Sequence, residues 1–67
     1  MPWTDAKSSM IDAFNYDHDV NMLHVRFHGG EVFSLQGVPP ETAAEFAAAP
    51  SKGKYWHTSL RDQFKAI

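Results

Sequence analysis

There is no cysteine in these 67 residues. Disulfides, thiolate metal sites and cysteine nucleophiles are excluded together. Small secreted domains usually depend on disulfide staples, so a cytoplasmic setting is expected. Long apolar runs are also missing: none approaches the roughly 18 residues that mark a membrane span. The opening Met1-Pro2-Trp3-Thr4-Asp5 has no basic stretch followed by an apolar one, so neither a signal peptide nor a membrane partner is expected. Positive charge is scarce. The formal net charge is −2, a poor basis for general nucleic-acid binding, whose affinity comes largely from neutralising phosphates. Internal repeats and low-complexity linkers are absent.

What remains is enough for one small domain. Hydrophobic residues make up 43% of the chain and include two Trp, two Tyr and five Phe. A chain this short buries only about 60% of its unfolded surface, so the core is thin. The charge is unevenly distributed. Through residue 50, Lys7 and Arg26 face seven acids for a net −5; from residue 51, Lys52, Lys54, Arg61 and Lys65 face only Asp62 for a net +3. A basic patch near the C-terminal end therefore fits a small anionic ligand better than a long polyanion.

Residues 1–8 show no periodicity and are expected to form a flexible N-terminal arm, with Trp3 its one anchor. Met10 to Tyr16 reads as a strand with Phe14 and Tyr16 on one face. Asp17-His18-Asp19 supplies a turn, because short polar side chains bond their own backbone. Leu23, Val25 and Phe27 then alternate with Met22, His24, Arg26 and His28. Parity selects the next turn. A two-residue Gly29-Gly30 turn would split Phe33 and Leu35 from the core face, whereas a three-residue loop from His28 to Gly30 pairs Val25 with Phe33 and Leu23 with Leu35. That loop needs positive φ at its end, which Gly30 supplies. Gly37-Val38-Pro39-Pro40 ends the sheet. A helix is expected from about Pro40 to Ala49, with Ala43, Phe46 and Ala47 inward. Pro50 stops it, and Ser51 caps a second helix on which Trp56, Leu60 and Phe64 recur every four residues. The expected class is α+β: a three-stranded antiparallel β-meander followed by two helices packed on one face of the sheet.

Ser8-Ser9-Met10-Ile11, Tyr16-Asp17, Leu23-x-Val25-x-Phe27, Gly30, Gly37-Val38-Pro39, Ser51-Lys52-Gly53-Lys54-Tyr55-Trp56, Leu60-Arg61 and Phe64 occur in order. This set resembles the KTSC domain over about residues 8–66, which assigns 9–67 as a KTSC-like domain after the arm. The family takes its name from its place at the C-terminus of some lysyl-tRNA synthetases and is commoner as a single small bacterial or phage protein. The resemblance implies a binding role, often guessed to be RNA binding, with no established activity. Two departures stand out: Phe33-Ser34-Leu35 replaces a central Tyr-x-Tyr, and His57 replaces a usual Asn. If those tyrosines contact a ligand, this chain has lost or changed the contacts.

Ser51-Lys52-Gly53-Lys54 is the strongest candidate for chemistry. Exposed amides at a helix start, two lysines and a glycine permitting close approach make an anion site. It lacks the two spaced glycines of a Walker A loop. A purely structural account uses the same residues: Ser51 caps, Gly53 lets two helices pack, and the lysines are solvated. Lys54, His57 and Arg61 share one helix face. With them holding a phosphate and Tyr55 stacking on a base, the candidate ligand site is Ser51, Lys52, Gly53, Lys54, Tyr55, His57 and Arg61. Trp56 is assigned to the core.

No metal, cofactor or catalytic residue is expected. His24 and His28 are about 13 Å apart along an extended strand, too far for one ion, and Asp17-His18-Asp19 is ordinary turn chemistry. Ser59 and His57 point different ways on a helix. The expected function is a non-enzymatic module binding RNA or a free nucleotide; the alternative is a protein-interaction module, such as a small inhibitor or adaptor, that self-associates.

Overall fold

The structure is a computed structural model that describes residues 3–64 and 66. Met1, Pro2, Lys65 and Ile67 lie outside the described residues, so the start of the expected arm and one lysine of the basic segment carry no structural account. The sheet has four antiparallel strands in sequential order: β1 (Thr4–Asp5), β2 (Ile11–Asp17), β3 (Met22–Phe27) and β4 (Val32–Leu35). The expected count of three is corrected by β1, whose Thr4 and Asp5 pair with Phe14 and Ala13. Two residues cannot show a period of two, which is why no alternation marked them. Lys7, at φ 50°, turns the chain back, its N–H donating to Asp5 Oδ1 at 2.8 Å. Trp3 does find an anchor: the Arg26 guanidinium lies 4.8 Å from its ring centroid.

β2 carries a bulge that no pattern announced. Ile11 pairs with Phe27 and Ala13 with Arg26, so the register shifts between them. The extra residue flips the alternation. Ile11, Phe14 and Tyr16 thereby join one core face, while Asp12 and Asn15 go to the other side. The β3–β4 hairpin has the expected three-residue loop. Leu23 pairs with Leu35 and Val25 with Phe33, Phe27 N–H donates to Glu31 O at 2.8 Å, and Gly30 sits at φ 94°. After β4, Gly37 takes φ 73° and Val38 turns fully inward, its N–H donating to Asn21 O at 2.9 Å. The Tyr16 hydroxyl donates to Val38 O, pinning this crossover to β2.

α1 (Pro40–Ala48) starts with proline at its first position, where no N–H is missed. Ala43 and Phe46 are buried, but Ala47 is exposed, a correction to the expected stripe. A helix this short covers the sheet through one narrow line, and Phe46 fills it, meeting Phe14 edge-on at 5.1 Å. The last helix is a four-residue α2 (Lys52–Tyr55) running into a π-helical turn at Trp56–Leu60, where Arg61 N–H donates to Trp56 O at 2.8 Å. Trp56 and Leu60 are buried and Phe64 packs against them. Both helices thus cover the face that carries Ile11, Phe14, Leu23, Val25 and Leu35.

Candidate ligand site on the last helix

The opening of α2 is occupied by structural work. Ser51 has extended backbone and its Oγ accepts from Lys54 N–H at 3.4 Å, a long cap bond. Lys52 reaches back so that Nζ donates to Ala49 O at 3.3 Å, supplying a cation to the exposed carbonyls that end α1. Gly53 is buried. A Cβ there would stand 3.3 Å from Met10 Sδ, so the close approach it permits is to the start of β2, neither to a second helix nor to a ligand.

Beyond that turn the helix shows an exposed ridge of Lys54, His57, Thr58 and Arg61. Three- and four-residue spacing puts them on one face. Arg61 Nη1 lies 3.5 Å from His57 Nδ1, at the outer limit of a hydrogen bond. Thr58 Oγ1 donates back to Lys54 O at 2.9 Å, the local bonding that accompanies distorted helices. Among the described residues, neither Lys54 nor Arg61 is paired with a carboxylate; the ion pairs join Asp12 to Arg26 at 2.8 Å and to His28 at 3.8 Å.

A groove flanks each side of this ridge. Between the helix and β4, a groove of about 380 Å³ has a floor of Phe27, Phe33 and Trp56, with His57 and Arg61 on the helix side and Glu31 on the sheet side. Its rings are mutually packed: Phe27 meets Phe33 and Trp56 edge-on at 5.4 and 5.2 Å, and Phe33 tilts 36° to Trp56 at 5.6 Å. On the other flank, toward the end of α1, a groove of about 390 Å³ is lined by Pro50, Ser51, Lys54, Tyr55 and Thr58. Tyr55 rests on Phe46 at 5.9 Å, and burial, then the nearby Glu45 carboxylate, hold its hydroxyl pKa above the ordinary tyrosine value.

The seven sequence-predicted site residues therefore do not share one pocket. Ser51, Lys54 and Tyr55 line one groove and His57 and Arg61 the other; Lys52 borders a separate polar hollow with Ala6 to Ser9, and Gly53 faces Met10. Sequence reasoning missed Phe33 as a site residue and gave Trp56 to the core alone, although it is both buried and part of the groove floor. The available signal was positional. A large apolar residue on the core face of the last strand is covered on one side only.

The outer sheet face is internally satisfied. Arg26 Nε donates to Asp12 Oδ2 at 2.8 Å beneath Trp3, His24 Nδ1 and Ser34 Oγ lie 2.7 Å apart, and His28 Nε2 lies 2.7 Å from Ser8 O. Among the described residues no group of three His, Cys, Asp or Glu is placed to hold a metal, and no helix is long and apolar enough to cross a membrane.

Fold and surface together define a small α+β module: a four-stranded antiparallel sheet, two helices on one face, and paired grooves along the second helix. By its match over residues 7–64, the chain belongs to the KTSC domain family. The crystal structure of a KTSC domain protein from Yersinia pestis superposes with a TM-score of 0.93 at 27% identity, covering 98% of this chain and 93% of that one. A protein of Tsukamurella paurometabola is 34% identical over 61 residues, 91% of each chain. A lysine–tRNA ligase of a Nostoc species is 33% identical over 64 residues, 96% of this chain. The chain spans 11% of that ligase's length.

Proposed function

We propose that this chain is a non-enzymatic binding module for a phosphate-bearing ligand, a nucleotide or RNA, working in the cytoplasm. One observation carries the reading: Arg61 and His57, which pair with no carboxylate among the described residues, stand at the rim of a groove floored by Phe33 and Trp56. Arginine binds phosphate through charge-assisted bonds, and an aromatic face holds a base by stacking. Lys54 extends the same cationic ridge. The reading thus moves the phosphate from the helix start, where Ser51, Lys52 and Gly53 are engaged, to the exposed flank. The Nostoc relative adds support, because a ligase named for acting on tRNA includes a segment similar to this chain.

The test is a titration of a nucleotide panel and short single-stranded RNA against the wild type and the Lys54→Ala/Arg61→Ala double variant. The double variant loses binding while its melting temperature stays close to wild type, since exposed substitutions alter stability by only about 0.5 kcal/mol. Binding that survives the double variant refutes the reading. A second reading, a protein-interaction module that self-associates, is favoured by the apolar edge strand β4, where Val32 is 49% and Phe33 36% exposed. A silent nucleotide panel together with a defined oligomer in sedimentation would select it.

A further inference from the structure

We infer that the ligand is a single-stranded oligonucleotide of two or more bases lying across the last helix, not a free mononucleotide. The inference rests on the reading above and specifies its ligand. Two apolar grooves of similar volume, about 380 and 390 Å³, flank one helix, each with an aromatic wall: Phe33 on one side and Tyr55 on the other. The ridge between them is one helix wide, about 10–12 Å with its side chains, too broad for one base to straddle. The charges follow the same plan. Lys54, His57 and Arg61 stand on the ridge between the grooves, while Glu31 stands on the far wall of one groove and Glu45 beside Tyr55. Phosphate is thus drawn to the ridge, with bases to either side. A duplex holds its bases stacked inside and cannot enter both grooves. With two permanent cations on the ridge among the described residues, few phosphates are neutralised there, and the affinity falls with salt at a log–log slope of roughly −1.4, from about −0.7 per contact on single strands.

The experiment compares a mononucleotide, its dinucleotide, a short single strand in ribo and deoxy form, and the matching duplex. The proteins are wild type, Phe33→Ala, Tyr55→Ala and Thr58→Glu. Thr58 is exposed and lines the Tyr55 groove, so its variant tests that groove even if Tyr55→Ala disturbs the packing on Phe46. Because the new carboxylate also opposes phosphate on the ridge, the loss that counts is the loss on the strand in excess of that on the mononucleotide. The single strand binds more tightly than the mononucleotide, and substitution in either groove weakens it about 5- to 150-fold, the worth of one stacked base. The tighter of the ribo and deoxy forms identifies the strand. Equal affinity for mononucleotide and strand, equal affinity for the duplex, or a Thr58→Glu effect no larger on the strand than on the mononucleotide overturns the inference and leaves nucleotide binding standing. Silence toward every probe overturns both.

Discussion

Replacing Gly53 by alanine sets two effects of similar size against each other. Alanine favours helix over glycine by up to about 1 kcal/mol, and less in a first turn. Against this, the new Cβ would meet Met10 Sδ at 3.3 Å and Met10 Cβ at 3.4 Å. The first contact is tight and the second ordinary. Met10 is only partly buried, and an unbranched thioether yields easily, so a shift of a few tenths of an ångström suffices. The gain and the crowding nearly cancel, leaving Gly53→Ala within about 1 kcal/mol of wild type, on the stabilising side. Gly53→Val adds two further methyls to a Cβ already tight against Met10 and costs about 1–3 kcal/mol. In a domain of this size the whole stability is roughly 3–10 kcal/mol, so the valine variant is plainly visible. Urea unfolding followed by tryptophan fluorescence measures both, and an unchanged slope keeps the comparison two-state. Pairing Gly53→Ala with Met10→Leu, whose branched end yields less, turns the alanine destabilising and exposes the coupling in a double-mutant cycle. A loss above about 2 kcal/mol for Gly53→Ala alone would refute the packing account, which rests on Met10 giving way. Nucleotide affinity stays unchanged in Gly53→Ala; its loss in a stable variant would instead return Gly53 to the ligand site.

Two further outcomes follow from the aromatic residues. Tyr16 and Tyr55 both have pKa values raised above 10.0, through burial first and then through Glu41 and Asp17 for Tyr16 and Glu45 for Tyr55. Because the folded state favours the protonated phenol, this stability is fully present below pH 10.0 and is lost as pH rises through the higher folded values. Ultraviolet titration therefore shows both tyrosines ionising later in the folded protein than in urea; coincident curves would contradict it. Adding a hydroxyl separates two strand positions: Phe33→Tyr, on the lining of an open groove, changes the melting temperature little, while Leu35→Tyr forces a large polar group into a buried site and costs about 1–3 kcal/mol. Thermal melts of the two variants check this, and equal stability would place Leu35 outside the core.

The sheet's central pairing was legible because side-chain parity is strict. Only a loop from His28 to Gly30 brings Val25 opposite Phe33 and Leu23 opposite Leu35, and that is the observed register. The Ser51 cap and the Trp56, Leu60 and Phe64 stripe were legible for the same reason, as local patterns at fixed spacing. The bulge after Ile11 was not, because its cause is tertiary: it lets Ile11 and Phe14 share a face against the helices. β1 was too short to alternate, and Ala47 was misplaced because alanine marks neither side of a helix. At the site, the residue types on the ridge were readable, and the Tyr55 groove is lined by one stretch of chain, Ala49 to Thr58. The other groove forms between the last helix and strands distant in sequence, so Phe33 had no local mark of its role.

The bridge between Leu35 and Ala66 bears on how this sheet can grow. β1 forms one edge, and at the other Ala66 pairs with the last residue of β4, so each edge is partly occupied by a segment near an end of the chain. A second sheet pairing along the whole of β4 would have to displace Ala66 from Leu35. That edge is thus covered at Leu35, the kind of protection by which sheets limit edge-to-edge pairing. The same placement separates two residues near the two ends: Thr4 and Ala66 lie about four strand spacings apart, roughly 19 Å. A larger protein joined at both positions would be held open by the full width of the sheet.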